Sequence, residues 1–325
     1  MNILIFGKDG QLGRALQARF EASANWATKS GLRFHYLGRT ECDLSKPDEV
    51  SAALDKFKPD CIINAAAYTA VDAAETNELL ANAINAAAPE RMAQYAVQHG
   101  ATFLHYSTDY VFDGSKEGPY LETDVRNPLG IYGKSKAAGE LAIEHAFLQA
   151  AQGRYAILRT SWVYGEGGNF IRTMLRLAQE RDQLKVIADQ YGVPTAAAWL
   201  AEVSIALAFD RHGALRPFPS GIYHAVPAGE TSWHGLACWA LNEASKAGVQ
   251  LKVDATGILP IPASAYPLPA PRPMNSRMQT TKLLQQLEAQ ADVSEWGHSA
   301  VALLRTPWNI GVTDYVRAIA QKHTA

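Results

Sequence analysis

The stretch YGKSK sets Tyr132 and Lys136 four residues apart where a helical pattern begins, and that spacing stacks both side chains on one helix face. A phenol beside an ammonium can exchange its proton, which is acid/base chemistry, although the same pair is also common on any soluble surface. Far upstream, GKDGQLG spaces Gly7, Gly10 and Gly13 as G-x-x-G-x-x-G directly after the apolar run NILIF. Small residues let a backbone approach a pyrophosphate, and the start of a helix offers unpaired N–H groups with a partial positive charge. A glycine turn alone says little. Here it joins the first strand to the first helix, the context that dinucleotide binding requires, and Gln11 and Leu12 belong to the same segment.

The end of the second strand selects between dinucleotides. An acid there holds the 2′-hydroxyl of NAD, whereas an arginine accommodates the 2′-phosphate of NADP. The sequence reads YLGRTECDL, with Arg39 near the selecting position and no acid immediately before it. A guanidinium suits a phosphate, so NADPH is the expected cofactor, with NADH as a second option. Asp43 and Leu44 are expected beside the adenine, and Ala67, Tyr68 and Thr69, in NAAAYT, near a cofactor ribose.

These residues need a scaffold. NILIF (2–6), FHYLG, CIINAAA (61–67), ATFLHYST and YAILRTSWVYG read as strands, with a loop near Lys29 to Gly31 before the second. QLGRALQARFE, DEVSAALDKF, the long stretch from Asn77 to Gly100, and YGKSKAAGELAIEHAFLQAA read as helices between them. This alternation predicts an α/β fold with a doubly wound parallel sheet of Rossmann type. Residues 1–160 are expected to form the NADPH-binding domain. Residues 161–325 are expected to form mainly a smaller α/β substrate domain, parts of which return to the first sheet. In that half, WHGLACWALNEASKAG and the end around DYVRAIAQKH read as amphipathic helices, and PLPAPRPMNSR (267–277) as an ordered loop.

Composition narrows the partners. The chain of 325 residues is 48% hydrophobic and 19% charged with a net charge of -2, a balance that gives no ground for a nucleic-acid or membrane partner. Cys42, Cys61 and Cys238 are odd in number and show no C-x-x-C spacing, which favours a reduced, cytoplasmic compartment over a disulfide framework or zinc site. MNILIFG reads as a strand rather than a signal peptide.

The glycine loop, NAAA, the STD strand end and the later Y-x-x-x-K resemble the extended short-chain dehydrogenase/reductase superfamily. FGKDGQLG, NAAAYTAVDAAE, HYSTDYVF, YGKSKAAGE, RTSWVYG, MLRLA, DQYGVPT and RPMNSR are similar, within it, to the dTDP-4-dehydrorhamnose reductase family. The resemblance implies an NADPH-dependent oxidoreductase that reduces the C4 ketone of a dTDP-4-dehydro-sugar, making a donor for cell-surface polysaccharide. It also implies roles: Tyr132 as proton donor, Lys136 lowering its pKa and binding the nicotinamide ribose, and Thr108 holding the substrate oxygen. Asp109 is then expected to contact the sugar and Trp162 to pack over it. Asn85 matches an asparagine that supports the lysine through water, with a solvent-facing side chain as the alternative. Sugar-nucleotide dehydratases of the superfamily carry Thr-Asp-Glu where this chain has Tyr110 third, so ketone reduction fits better than elimination. An epimerase or dehydratase, and a non-catalytic cofactor-binding subunit, are the alternatives.

Arg272 and Arg277, flanking RPMNSR, are expected at the diphosphate of the dTDP-sugar, because paired guanidiniums suit that group. Some members of the family are dimers bridged by magnesium through glutamates. The matching places here are Ala15, Ala198 and Asn309, and none is a carboxylate, so no magnesium site is expected and a homodimer is left open.

Overall fold

The computed structural model describes residues 1–23, 31–290 and 295–324; the expected loop at Lys29 lies outside them. Twelve strands are described: β1 (Asn2–Phe6), β2 (Arg33–Leu37), β3 (Cys61–Asn64), β4 (Thr102–Thr108), β5 (Arg154–Thr160), β6 (Val163–Tyr164), β7 (Leu184–Ile187), β8 (Tyr191–Gly192), β9 (Thr195–Ala196), β10 (Gly221–His224), β11 (Thr231–Ser232) and β12 (Ile258–Ile261). Six of them form one sheet in the order β10-β5-β4-β3-β1-β2, with every pairing parallel. The inner strands β1, β3 and β4 are buried almost throughout, as a sheet covered by helices requires, whereas the edge strand β2 is partly exposed.

Helices cover the two faces. On one side Gln11–Ala22 and Ala197–Ala208 pack on Ile3, Ile5, Ile63, Leu104 and Leu158. On the other, Pro47–Phe57 and Ala88–His99 pack on Leu4, Phe6, Ile62, Phe103 and Ile157, and Ile143 of Ile131–Phe147 joins them. Alternate residues of each strand thus feed opposite cores, the period-2 consequence of the pleat. A third core, formed by Phe170–Glu180, Trp233–Lys246 and Trp308–Thr324 with β7 and β12, lies in the second half. The chain after residue 160 also contributes to the first sheet: β10 pairs with β5, and Ala197–Ala208 covers a face.

Two strand ends differ from expectation. CIINAAA is extended only to Asn64, and Ala65 to Ala67 turn out of the sheet into the cavity described below. YAILRTSWVYG is broken at Trp162, whose φ of 49° is a left-handed conformation that ends β5 and begins β6 in a new direction. The long helical stretch after Asn77 is interrupted by a π-helical turn at Ala83–Ala87, which contains Asn85, and Gly100 closes it in the left-handed region. Pro267 to Arg277 contains no helix, in agreement with its reading as a loop.

Candidate active site

A cavity of about 950 Å³ opens beyond the carboxyl ends of the sheet strands, where the order reverses between β1 and β3. Open α/β sheets bind ligands at such switch points. Its walls take Gly7 after β1, Arg39 after β2, Ala67 after β3, Thr108 at the end of β4 and Ser161 after β5.

At one end is the glycine loop. Gly7 has φ 89° and packs so closely on Ala65 and Ala66 that any Cβ would meet the Ala66 nitrogen at 2.6 Å. Gly10 is the N-cap of Gln11–Ala22 and brings no capping side chain, so the first-turn N–H groups remain available to an anion. Gly10, Gln11 and Leu12 line the cavity, whereas Gly13 does not. Gly13 instead lies under the loop, where a Cβ would stand 2.0 Å from the Gly7 carbonyl oxygen. This cradle fits a dinucleotide pyrophosphate. Arg39, Asp43, Leu44, Ala67, Tyr68 and Thr69 line the same end. The Asp43 carboxylate accepts from the Ser45 hydroxyl at 2.8 Å and its backbone N–H at 3.0 Å, which hold its pKa below the usual range.

At the other end, Tyr132, Lys136 and Thr108 share the wall. Tyr132, Lys136 and Glu140 follow at four-residue intervals on Ile131–Phe147, and Glu140 fixes that helix face. Its buried carboxylate receives Arg159 Nε at 2.9 Å and Nη2 at 2.6 Å, and Arg126 Nε at 2.5 Å, tying the helix to β5. Lys136 is buried, donates to the Tyr106 carbonyl at 2.7 Å and lies 3.1 Å from His105 Nε2. Burial pushes its pKa down to about 8, with Glu140 pulling the other way. His105, whose Nδ1 lies 3.2 Å from Asn64 Nδ2, is held well below its ordinary pKa by burial and by Lys136. His105 was not singled out from the sequence.

The phenol of Tyr132 differs from expectation. Its pKa is pushed up to about 12, burial being the main cause, with the Thr108 hydroxyl pulling it down and Asp109 pushing it further up. In the protein alone the Lys136 charge is directed at the Tyr106 carbonyl and His105, and desolvation decides the phenol's state. Thr108 donates to Asp109 Oδ1 at 2.9 Å, and its hydroxyl accepts the Tyr110 N–H at 3.2 Å. Asp109 is buried and its carboxyl is pushed up to about 6, burial outweighing the nearby Ser276 and Thr108 hydroxyls. The Tyr110 ring meets Tyr132 edge-on at 5.4 Å.

Asn85 does not face solvent. Its side chain clamps the Tyr68 backbone, accepting the N–H at 2.8 Å and donating to the carbonyl at 3.0 Å, and reaches Ser135 Oγ at 3.0 Å. Trp162 lines the cavity and stacks on Trp233 with ring centroids 3.7 Å apart at 15°. Trp233, which lies beside it in the wall, was missed. The available signal was its place directly after Ser232, which caps the helix by accepting the Gly235 N–H.

Arg272 and Arg277 do not line this cavity. Arg272 forms a bidentate pair with Asp72, Nη1 to Oδ1 at 2.7 Å and Nη2 to Oδ2 at 2.8 Å. Arg277 bonds Asn275 Oδ1 at 2.8 Å, Glu230 and the Glu117 carbonyl. Both guanidiniums fasten the proline-rich loop to other segments.

The chain matches the family described as RmlD substrate binding domain over residues 1–307. It is 45% identical over 292 residues to a dTDP-4-dehydrorhamnose reductase of Salmonella typhimurium, covering 89% of this chain and 92% of that one. Against the enzyme of the same name from Shigella flexneri it is 42% identical over 313 residues, 96% of each chain. Among solved structures, dTDP-4-dehydrorhamnose reductase from Bacillus anthracis in complex with NADP superimposes with a TM-score of 0.78 at 30% identity, covering 97% of this chain and 98% of that one.

Proposed function

The chain belongs to the dTDP-4-dehydrorhamnose reductase family of nicotinamide-dependent oxidoreductases, and from that premise we propose that it reduces the C4 ketone of dTDP-4-dehydro-β-L-rhamnose with NADPH, giving dTDP-L-rhamnose. The observation that carries this reading is one cavity with a pyrophosphate cradle at one end and Tyr132, Thr108 and Lys136 at the other.

The bound cofactor supplies the hydride; the chain's residues do the rest. The Thr108 hydroxyl and the Tyr132 phenol hold the ketone oxygen. Reduction leaves that oxygen needing a proton, so its donor must be loaded beforehand. A phenol at about 12 is loaded at neutral pH. The buried Lys136 ammonium then offsets the phenolate that remains, and it also binds the nicotinamide ribose. Asp109 contacts the sugar hydroxyls and Trp162, backed by Trp233, covers a sugar face. Elimination or epimerisation is less well served, because the position after Asp109 holds Tyr110 rather than a carboxylate base.

We place the cofactor-binding part in residues 1–160 and most nucleotide-sugar contacts in 161–325. The cytoplasm is the proposed compartment, since Cys42, Cys61 and Cys238 are all unpaired; no described helix is long and apolar enough to cross a membrane. The test is oxidation of NADPH followed at the nicotinamide absorbance with and without the dTDP-4-keto sugar. Sugar-dependent oxidation with one dTDP-L-rhamnose formed per NADPH is expected. Cofactor binding without turnover would leave a non-catalytic subunit instead.

A further inference from the structure

We propose that Glu41 is a built-in competitor for the cofactor's 2′-phosphate and sets how strongly this site prefers NADPH over NADH. The inference rests on the reading of Arg39 as the phosphate-holding residue. The turn after β2 folds the Glu41 side chain back over its own backbone. Oε2 accepts the Gly38 N–H at 2.9 Å and the Thr40 hydroxyl at 3.1 Å, and Oε1 accepts the Lys8 ammonium. Lys8 comes from the glycine loop, which the Gly7 and Lys8 N–H groups join to the end of β2 through the Leu37 carbonyl, at 2.8 and 3.2 Å. One carboxylate thus gathers a backbone N–H, a hydroxyl and an ammonium; Lys8, Thr40 and Glu41 lie just behind Gly38 and Arg39, which line the cofactor end of the cavity.

That donor set is what a phosphate monoester at this place would use. Arg39 is 78% exposed, and its nearest carboxylate, Asp43, is 4.0 Å away, so its guanidinium can turn to a phosphate at little cost. Lys8 and Glu41 are both held in their charged forms by their contact, with Glu41 down to about 2. A carboxylate and a phosphate at the Lys8 ammonium repel each other, so a 2′-phosphate held there competes with Glu41. The 2′-hydroxyl of NADH is neutral and can donate to a carboxylate left in place.

The experiment measures dissociation constants for NADPH and NADH with wild type, Glu41→Gln, Glu41→Ser and Arg39→Ala. Both Glu41 variants keep a polar side chain at this turn; Glu41→Gln removes only the charge, and Glu41→Ser removes the charge and its reach. Each is expected to bind NADPH about threefold to fivefold more tightly, the scale of an exposed ion pair, and NADH no more tightly than wild type. An unchanged NADPH-to-NADH ratio in both, or a shift toward NADH, would overturn the role of Glu41. The Arg39→Ala arm is judged separately: it should weaken NADPH more than NADH. If Arg39→Ala is selective and the Glu41 variants are not, only the Glu41 inference fails. If Arg39→Ala weakens both cofactors equally, the reading of Arg39 fails.

Discussion

Burial keeps the Tyr132 phenol protonated at neutral pH, the state from which the proposed acid would donate. Tyr132→Phe keeps the ring that packs edge-on with Tyr110 and deletes the proton, so turnover should fall by roughly 10²–10⁴-fold while NADPH affinity stays near wild type. Stopped-flow turnover and a cofactor titration check this, and a wild-type rate would remove Tyr132 from the mechanism. Asp109 makes a second case, with a sign that can be worked out. Its folded-state pKa of about 6 lies above the unfolded value of about 3.9. Between those values the folded protein holds a proton that the unfolded chain releases, so this group's contribution to stability falls as pH rises from about 4 to about 6 and stays low above that. Asp109→Asn removes the titration. It should stabilise the protein at pH 7.5, by up to about 3 kcal/mol, with the gain vanishing near pH 4. Tm measured for both proteins across that range decides it; a gain that does not depend on pH would contradict the assignment. Loss of turnover in the same variant would fit a carboxylate kept for the sugar at a cost in stability.

Elements place these residues with little slack. Gly13, in the first turn of Gln11–Ala22, lies against the Gly7 carbonyl, where a methyl at 2.0 Å has no room. Gly13→Ala should push the loop away from the helix, destabilising the protein by about 1–3 kcal/mol. It should also weaken NADPH by tenfold or more, because a displacement of an ångström removes the backbone donors from the phosphates. Denaturant titration and cofactor binding test both effects, and an intact affinity would mean the loop does not hold the pyrophosphate. At this scale the sequence was most informative where period and composition act locally. NILIF is β1 residue for residue, and the helix bearing Tyr132 begins at Ile131, one residue from the expected start. It was least informative where a distant segment decides. Nothing local in RTSWVYG announces that Trp162 turns left-handed to stack on Trp233, 71 positions later. Nor does anything local in RPMNSR announce that Arg272 and Arg277 pair with Asp72 and Glu230, which come from other parts of the chain. His105 reads as part of a strand and becomes notable only once Lys136 lies against it.

On the scale of the whole molecule, the sheet core and the core of the second half meet around one cavity, and a metal would act between copies of the chain. The positions matched to the family's magnesium-bridging glutamates are Ala15 on the first helix, Ala198 on Ala197–Ala208 and Asn309 on the last helix. Hard cations want several oxygen ligands, usually with a carboxylate among them, and these three side chains offer one neutral oxygen. Within the chain, the helices carrying Ala15 and Ala198 are joined by apolar packing and by the Arg19–Glu202 pair. The proposed chemistry asks for no Lewis acid either, since in it the Thr108 hydroxyl and the Tyr132 phenol hold the ketone oxygen. Treatment with EDTA should therefore leave the initial rate and the oligomeric mass unchanged, and resupplied magnesium should have no effect. Initial rates paired with light scattering before chelation, after it and after magnesium return are the measurement. A reversible loss of activity, or of an oligomer, would show that other carboxylates bind the ion.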